Sequence, residues 1–305
     1  MKVMLAGGSG FIGRALTDCL TNEGHEVVLL TRKASPAVVG KKSERTIVER
    51  WDGKTVEIWA RHIDDAKAVI NLAGESIASK RWSDRRKQTI VRSRVEATRA
   101  LVESIRSSKK KPEVLINASA VGYYGDTKDE DVTENHGKGS DFLSGTVGQW
   151  EREASLAEVL GMRVVLLRFG VVLGPGGGAL PRMLLPFRMF VGGPLGSGEQ
   201  WFPWIHLDDV IGVIKFTMST PSLTGPVNVT APGIVRMKEF CSSLGRALHR
   251  PSWLPVPSFA LRLVLGEMAG MLLTGQRARP KKLLESGYRF LFPNLDDALN
   301  NTLNL

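Results

Sequence analysis

The hydrophobic and polar positions at the start of the chain follow two different periods. Residues 3–6 form an unbroken apolar run, which is typical of a buried strand. From Phe11 onward apolar side chains recur at helical spacing, through Leu16 and Leu20. The stretch GGSG separates the two patterns. The sequence therefore predicts a strand, a tight turn and a helix in succession.

The alternation of strand and helix patterns continues to about residue 167. It predicts strands at 26–30, 46–51, 68–71, 113–118 and 163–167, with helices at 83–106 and 143–160. Such an order is typical of an α/β fold, in which helices cover both faces of a doubly wound parallel sheet of the Rossmann type. We expect this Rossmann-type domain to span residues 1–172.

The remaining third of the chain has a different texture. It contains GPGGGALPRMLLPF and the Pro-rich PSWLPVPSF, with short helix and strand patterns between them. We expect residues 173–305 to form a smaller α/β substrate lobe over the carboxyl edge of the sheet, with some segments returning to the main sheet.

Three glycines in the first turn, Gly7, Gly10 and Gly13, have the spacing of a dinucleotide site. The first permits the sharp turn, the second lets the backbone approach a pyrophosphate, and the third lets the helix lie close to the strand. The N–H groups of the helix start, around Phe11 and Ile12, would bind the phosphates. The alternative is a structural turn that uses glycine for its conformation alone.

The end of the second predicted strand distinguishes the two nicotinamide dinucleotides. An acidic residue there would bind the ribose hydroxyls of NAD, whereas a basic one accommodates the extra phosphate of NADP. The strand ends Thr31-Arg32-Lys33, with no acid. The sequence therefore predicts NADP(H), bound by Arg32 as a planar fork and by Lys33 as a point charge.

Two further stretches follow strands and face the same edge of the predicted sheet. Asp52 follows the third strand, where it would accept a hydrogen bond from the adenine amino group or serve as a surface turn residue. The residues after the fourth strand would line the middle of the cofactor, and these are Leu72, Ala73, Gly74 and Glu75. A surface role for Glu75 stays open at this point.

Composition narrows the classes of partner and compartment. The 305 residues carry a formal net charge of +10, which favours anionic partners. A small anionic substrate would be such a partner. The basic clusters are typical of solvated surfaces, so no nucleic acid is expected. No apolar run is long enough to span a membrane, and we expect no membrane partner. The two cysteines form no metal or redox motif, so we expect a cytoplasmic protein without a metal.

Several motifs, in this order, resemble those of one superfamily. They are GGSGFIG, NLAG, SAVGYYGD, LLRFGVVLG and WIHLDDV, and they resemble the extended (atypical) short-chain dehydrogenase/reductases on their epimerase/dehydratase side. RWSDRRKQTIVRSRVEATRALVESI, QWFPWIHLDD and the tail from PVPSF are similar to an uncharacterised NAD(P)-dependent epimerase-like branch, sometimes labelled cell-division inhibitors. The resemblance covers the whole chain and implies nicotinamide chemistry without naming a substrate.

The resemblance also locates the expected acid–base residues. Superfamily members place a Ser or Thr after the fifth strand and a Tyr-x-x-x-Lys pair on the next helix, where the ammonium lowers the phenol pKa. Ser119 matches the hydroxyl. When Glu151 is aligned with the family's usual glutamate, Leu143 stands at the Tyr position and Val147 at the Lys position. Neither side chain transfers protons.

Two tyrosines lie just beyond the fifth strand, where the nicotinamide is expected. The literal pattern from Tyr124 to Lys128 contains Gly-Asp and precedes an acidic run, which indicates a loop and a coincidental spacing. Tyr123 or Tyr124 would be a displaced acid or simply an aromatic wall. We therefore take Ser119, Tyr123 and Tyr124 as the catalytic candidates.

Three other polar residues near the same edge of the sheet have structural roles as well as functional ones to consider. Arg168 ends the sixth strand, either as a buried ion pair or as an anion clamp. Asp208 is expected to cap the helix that runs to Ser219, and His206 is expected to brace that helix start.

Two functions fit these observations. The first is an NADP(H)-dependent, epimerase-like oxidoreductase of unknown substrate. The second is a non-catalytic NADP(H)-binding regulatory or interaction protein, for which the resemblance implies a link to cell or organelle division. In the superfamily, helices equivalent to 83–106 and 143–160 commonly pair two subunits, so a homodimer is possible.

Overall fold

The computed structural model describes residues 1–32 and 44–304. Its strands are β1 (Lys2–Ala6), β2 (Glu26–Thr31), β3 (Thr46–Arg50), β4 (Ala68–Asn71), β5 (Val114–Ala120), β6 (Asp131–Val132), β7 (Arg163–Phe169), β8 (Val171–Leu173), β9 (Trp201–Phe202), β10 (Trp204–His206), β11 (Gly225–Val229), β12 (Val235–Arg236) and β13 (Arg277–Ala278). Its α-helices are α1 (Phe11–Asn22), α2 (Asp84–Ser107), α3 (Phe142–Ser155), α4 (Leu180–Arg188), α5 (Leu207–Ser219), α6 (Met237–Leu248), α7 (Ser258–Leu265), α8 (Gly270–Leu273), α9 (Lys281–Glu285) and α10 (Leu295–Leu303).

The central sheet has seven strands in the order β11-β7-β5-β4-β1-β2-β3, and every pair in it is parallel. Strands β2 and β3 lie on one side of β1, whereas β4 and the later strands lie on the other. The order therefore reverses between β1 and β4, and ligands of open α/β sheets bind at the carboxyl ends of strands on either side of such a reversal. The structure confirms the predicted fold class.

Helices cover the sheet on both faces, which explains the unbroken apolar run of β1. Val3 and Leu5 point into one buried cluster with α1 and α5. Met4 and Ala6 point into the other, which includes side chains of α2. Because successive strand residues face opposite sides, a strand buried on both faces is apolar throughout.

A third buried cluster lies in the C-terminal region. It joins α4, α6 and α10 around Trp204 and Phe240. Strand β11 from the same region is the edge strand of the central sheet beside β7. The division at residue 172 stays a prediction.

The predicted strands and the long helix α2 agree with the structure to within two residues at each end, and the largest departure is in one helix. The predicted helix 143–160 ends as α3 at Ser155, and a short 3-10 turn follows at Glu158–Leu160. The amide of Ala157 donates to the Ala154 carbonyl at 3.1 Å, so the chain tightens from α-helical to 3-10 hydrogen bonding before Gly161. Helix α2 begins one residue after Ser83, whose hydroxyl accepts from the Arg86 amide.

Candidate functional site

Internal packing accounts for two of the three glycines in the β1–α1 turn. Gly7 has φ +81°, and a Cβ there would lie 2.6 Å from the Leu72 carbonyl carbon. A Cβ on Gly13 would lie 2.5 Å from both the Gly7 oxygen and the Gly8 Cα. These two positions need glycine for the turn and for the close approach of α1 to it.

Gly10 is packed less tightly than Gly7 and Gly13, because an added Cβ would make one close contact, at a distance that a small shift relieves. Its φ of −76° suits any residue, and only the Gly7 oxygen, at 3.2 Å, would lie within 4 Å of an added Cβ. As the N-cap of α1 it supplies no capping side chain, and the first turn holds no acid. The N–H groups at the start of α1, including those of Phe11 and Ile12, therefore meet no capping side chain, as at anion-binding helix starts.

The ring of Phe11 connects this turn to the start of the C-terminal region. Added Cβ atoms on Gly174, Gly177 and Gly178 would lie 3.1, 2.4 and 3.0 Å from the ring. The loop after β8 therefore lies directly against the glycine turn because it lacks side chains. Sequence reasoning missed this contact, although the run GPGGG was the available signal.

A buried polar network fixes the carboxyl ends of β4 and β5. The Asn71 amide donates to the Asn117 oxygen at 2.7 Å and to the Thr98 hydroxyl at 2.9 Å. Its own oxygen accepts from the Ala73 amide at 3.1 Å. Trp150 on α3 donates to the same hydroxyl at 2.9 Å. These bonds hold the backbone of 72–74 at the switch point beside β1.

The next two residues are held by α2. A Cβ on Gly74 would lie 3.3 Å from the Arg94 guanidinium carbon, and Arg94 donates to the Glu75 carbonyl at 3.1 Å. Burial lowers the pKa of Arg94 to about 10. The guanidinium also lies 5.2 Å from the centre of the Trp150 ring. Arg94 thus ties the 72–75 stretch to α2, a role that sequence reasoning did not foresee.

The predicted phosphate-binding end of β2 is basic and open. Thr31 is buried, whereas the side chain of Arg32 is 70% exposed. A Glu75 carboxylate oxygen lies 3.8 Å from Arg32, and its other oxygen accepts from Arg86 at 3.2 Å. The structure therefore brings Arg32 and Glu75 together at one edge of the switch point. Lys33 lies outside the described residues.

Asp52 forms a turn of its own. One carboxylate oxygen accepts from the amides of Lys54 and Thr55 at 2.7 and 2.9 Å, and the other accepts from the Thr55 hydroxyl at 3.0 Å. Burial alone would raise the pKa of Asp52, but these hydrogen bonds lower it below its usual value. The geometry matches the turn alternative, and the predicted adenine contact stays a prediction.

Ser119 is part of a buried ion-pair network. Its hydroxyl donates to Glu151 on α3 at 2.5 Å. The same carboxylate accepts two bonds of 2.8 Å from Arg168 at the end of β7. The Arg168 and Glu151 side chains are only 3% and 9% exposed. Of the two roles considered for Arg168, the structure shows the buried ion pair.

Tyr124 joins this network from the other side. Its hydroxyl donates to the Asn228 oxygen at 2.7 Å and accepts from Arg168 at 2.9 Å. Arg168 also donates to the Glu134 carbonyl at 3.3 Å. Burial raises the pKa of Tyr124, although the neighbouring guanidinium opposes this shift. The Tyr124 phenol is thus held neutral between β7 and β11, and sequence reasoning missed both Asn228 and Glu134.

Tyr123 is half-buried, and its ring lies over the same guanidinium. The Arg168 guanidinium carbon is 3.6 Å from the ring centre. Tyr124 ends a 3-10 turn and Lys128 lies in a loop with φ +47°, so the literal Tyr-x-x-x-Lys pattern has no common helical face.

Of the two apolar residues of α3 that align with the family's pair, Leu143 lies against the turn that follows β5. The Leu143 Cβ would be 3.6 Å from a Cβ on Gly122, and Val147 is buried. Their equivalence to the family's Tyr and Lys stays a prediction.

The start of α5 corrects one expectation. The cap is His206, whose ring nitrogen accepts from the Asp208 amide at 3.2 Å. The prediction that Asp208 caps this helix is wrong, because Asp208 lies inside the first turn. His206 is buried and braces the helix start, as expected.

The described ranges contain no group of three or more His, Cys, Asp or Glu residues that could hold a metal ion. Within 1–32 and 44–304, no helix is long and apolar enough to span a membrane.

Two family models match the chain. Residues 3–229 match the NAD dependent epimerase/dehydratase family, and residues 256–302 match a domain of unknown function, DUF1731. The first match includes β1 to β11 and hence the whole central sheet.

Individual proteins are similar over the full length. The epimerase family protein YfhF of Bacillus subtilis is 43% identical over 99% of this chain and 98% of its own length. The crystal structure of the human epimerase family protein SDR39U1 with NADPH is 36% identical, has a TM-score of 0.88, and covers 100% of this chain and 99% of its own. A UDP-glucuronic acid 4-epimerase from Bacillus cereus, 20% identical with a TM-score of 0.82 over 100% of this chain and 98% of its own, shares the fold. The chain belongs to the NAD dependent epimerase/dehydratase family.

Proposed function

We propose that the chain binds NADP(H) across the switch point between β1 and β4. The observation that carries this proposal is the start of α1 at Gly10, which has no capping side chain and no acid in its first turn, and which would hold a pyrophosphate. The start of α1 would hold the phosphates, and the backbone of 72–74 would line the middle of the dinucleotide. The human relative of 36% identity, whose structure contains NADPH, supports this assignment.

NADP(H) rather than NAD(H) is proposed from the end of β2. The exposed guanidinium of Arg32 stands where the adenosine ribose would arrive, and a 2′-phosphate would bind it through a charge-assisted contact. Glu75 already lies beside Arg32, so a phosphate would compete with this carboxylate for the guanidinium.

We further propose that the chain is an epimerase-like oxidoreductase whose substrate is a small anionic molecule. It would act without the Tyr–Lys pair that is usual in the superfamily. NADP(H), when bound, supplies or accepts a hydride. The Ser119 hydroxyl donates to Glu151 and the Tyr124 hydroxyl donates to Asn228, so both candidate protons are engaged in a buried network. The half-buried Tyr123, whose ring lies over Arg168, and solvent water are then the remaining proton carriers.

A non-catalytic NADP(H)-binding role is the second candidate. The same buried network favours it, because Ser119, Glu151, Arg168, Tyr124 and Asn228 satisfy one another as structural groups do. A partner would then recognise the cofactor-bound form.

The test is a screen that follows NADPH absorbance with mixed metabolites and the purified chain, run in parallel with Tyr123→Phe. An oxidoreductase gives cofactor turnover with some fraction of the mixture, and Tyr123→Phe lowers it if Tyr123 carries the proton. Tight NADPH binding with no turnover on any fraction contradicts the oxidoreductase and supports the second candidate.

A further inference from the structure

Nine of the sixteen large hydrophobic side chains exposed in the described residues lie in three segments of the C-terminal region. They are Leu185, Met189, Phe190, Val191, Trp253, Leu254, Phe259, Leu263 and Val264. Large contiguous apolar surfaces of this kind mark contact sites rather than ordinary solvent-facing surface. We call residues 185–191 and 253–265 together the apolar face.

The segments of this face are neighbours in space. Arg250 lies 4.4 Å from the centre of the Phe190 ring, and the Leu254 amide donates to the Gly192 carbonyl at 3.3 Å. The Val256 amide donates to the Pro194 carbonyl at 2.9 Å, and α7 begins two residues later. The end of α4, the Pro-rich stretch and α7 therefore adjoin one another.

Helix α7 has no buried residue, although most of its side chains are large and apolar. Phe259 and Leu263, one turn apart, are 73% and 76% exposed, and Trp253 is 73% exposed. No other part of the described chain covers these side chains. Exposing these side chains to water costs free energy, and contact with a further apolar surface recovers it.

The charge of the apolar face argues against a second copy of the chain as its binding partner. Between Leu185 and Val191, and between Trp253 and Leu265, the charged residues are Arg188 and Arg262, with no acid. Arg250 lies beside them, and the next acid along the chain, Glu267, is paired with Lys87. Two copies meeting through this face would place arginine against arginine, which opposes self-association.

The small number of polar side chains in the apolar face favours a lipid surface over a protein as its binding partner. Apart from the two arginines, Ser258 is the only polar side chain within the face. A protein interface carries about one hydrogen bond per 100–200 Å², and this face offers few groups to make them. Hydrocarbon requires none. Aromatic and aliphatic side chains flanked by arginines are the arrangement by which proteins lie on anionic membranes.

We propose that the apolar face is a peripheral binding site for an anionic phospholipid surface, with Trp253, Phe259 and Leu263 inserted at the headgroup boundary and the arginines among the phosphates. The expectation of no membrane partner rested on the absence of an 18-residue apolar run, and that criterion concerns spanning only. An eight-residue helix lies on a membrane without crossing it.

The experiment is co-sedimentation of the full chain with vesicles of phosphatidylcholine alone or mixed with phosphatidylglycerol. Wild type should bind the mixed vesicles and much less of the neutral ones, and added salt should weaken the binding. The double variant Phe259→Ser/Leu263→Ser should bind about tenfold or more weakly, since two inserted apolar side chains are lost. A matched control, Leu156→Ser/Val159→Ser, removes two exposed apolar side chains elsewhere and should bind like wild type.

Tryptophan emission provides a second measurement that does not depend on the double variant's folding. Mixed vesicles should shift the emission of wild type to the blue, and Trp253→Phe should lose that shift. Absence of binding to mixed vesicles, or an equal loss in the control variant, overturns the proposal. A wild-type dimer that Phe259→Ser/Leu263→Ser converts to monomer, without vesicle binding, also overturns it and assigns the face to a second copy.

Discussion

At the scale of single residues, the glycine turn shows how a motif separates into structural and ligand-directed positions. Gly7 has the positive φ of a turn, and Gly13 touches the turn backbone, so the fold alone requires both. Gly10 has an ordinary φ, and an added Cβ would make a single close contact of 3.2 Å, with the Gly7 oxygen. The spacing of the three glycines predicts all of them equally. Only the structure shows which one a cofactor would need.

Gly10→Val should abolish NADPH binding while the protein stays folded. The added side chain would occupy the space proposed for the pyrophosphate, but the backbone conformation is open to valine. Fluorescence titration with NADPH measures the first effect and thermal unfolding the second. Gly137→Val, where an added Cβ meets nothing within 4 Å, is the control and should bind normally. Normal NADPH uptake by Gly10→Val would remove the ligand argument.

Arg168→Met should destabilise the fold by about 3–5 kcal/mol. It leaves the Glu151 carboxylate buried without its cation, which is the costly way to break a buried pair. Urea unfolding at neutral pH measures the change. The control, Arg99→Met, breaks a partly exposed pair with Glu153 and should cost about 1 kcal/mol or less. Similar losses in the two variants would show that the network around Arg168 is not a structural centre.

Tyr124→Phe should flatten the loss of stability at alkaline pH. Burial raises the folded-state pKa of Tyr124 above the unfolded value of about 10. The neutral phenol therefore stabilises the fold below pH 10, and this contribution is lost as the pH rises through the folded-state pKa. The variant should be less stable at pH 7, by about 1 kcal/mol for the lost hydrogen bonds. An alkaline decline identical in slope to that of wild type would contradict the assignment.

At the scale of elements, periodicity predicts what repeats along the chain and misses what joins distant parts of it. The strands at β2 and β4 and the long helix α2 lie where the pattern places them, because each is long or strongly apolar. The network of Glu151, Arg168 and Asn228 could not be predicted, since its members come from three separate elements. The cap of α5 was also predicted wrongly, because cap preferences favour Asp208, whereas the His206 ring nitrogen accepts the bond from the Asp208 amide.

Helix α3 contains two interior glycines, and replacing each with alanine should change the stability of the protein by a different amount. Gly145→Ala should raise stability by about 0.4–1 kcal/mol, because an added Cβ meets nothing within 4 Å and glycine weakens helices. Gly148→Ala places its Cβ 2.7 Å from the Lys138 side chain and should gain less. Thermal unfolding of both variants measures this. A loss of stability in Gly145→Ala would mean that another surface, such as that of a second subunit, covers this position.

At the scale of the whole molecule, the α/β sheet and its switch point are present, and the alignment of the motifs predicts Leu143 and Val147 at the positions of the superfamily's usual acid–base pair. We therefore expect the protein to epimerise ordinary sugar nucleotides slowly or not at all. General acid–base assistance is typically worth about a hundred- to ten-thousand-fold in rate. Robust epimerisation of a UDP-sugar by the wild type would show that Leu143 and Val147 have been wrongly aligned with the family's pair.

Calorimetric titration with NADPH and with NADH measures whether the end of β2 selects the phosphorylated dinucleotide. Wild type should bind NADPH about 10- to 100-fold more tightly, the difference that one charged hydrogen-bonding contact at Arg32 supplies. Arg32→Glu should lose that preference, whereas Arg152→Glu, with the same change of charge on the exposed face of α3, should keep it. Equal affinity of the wild type for the two dinucleotides, or no binding of either, would contradict the account.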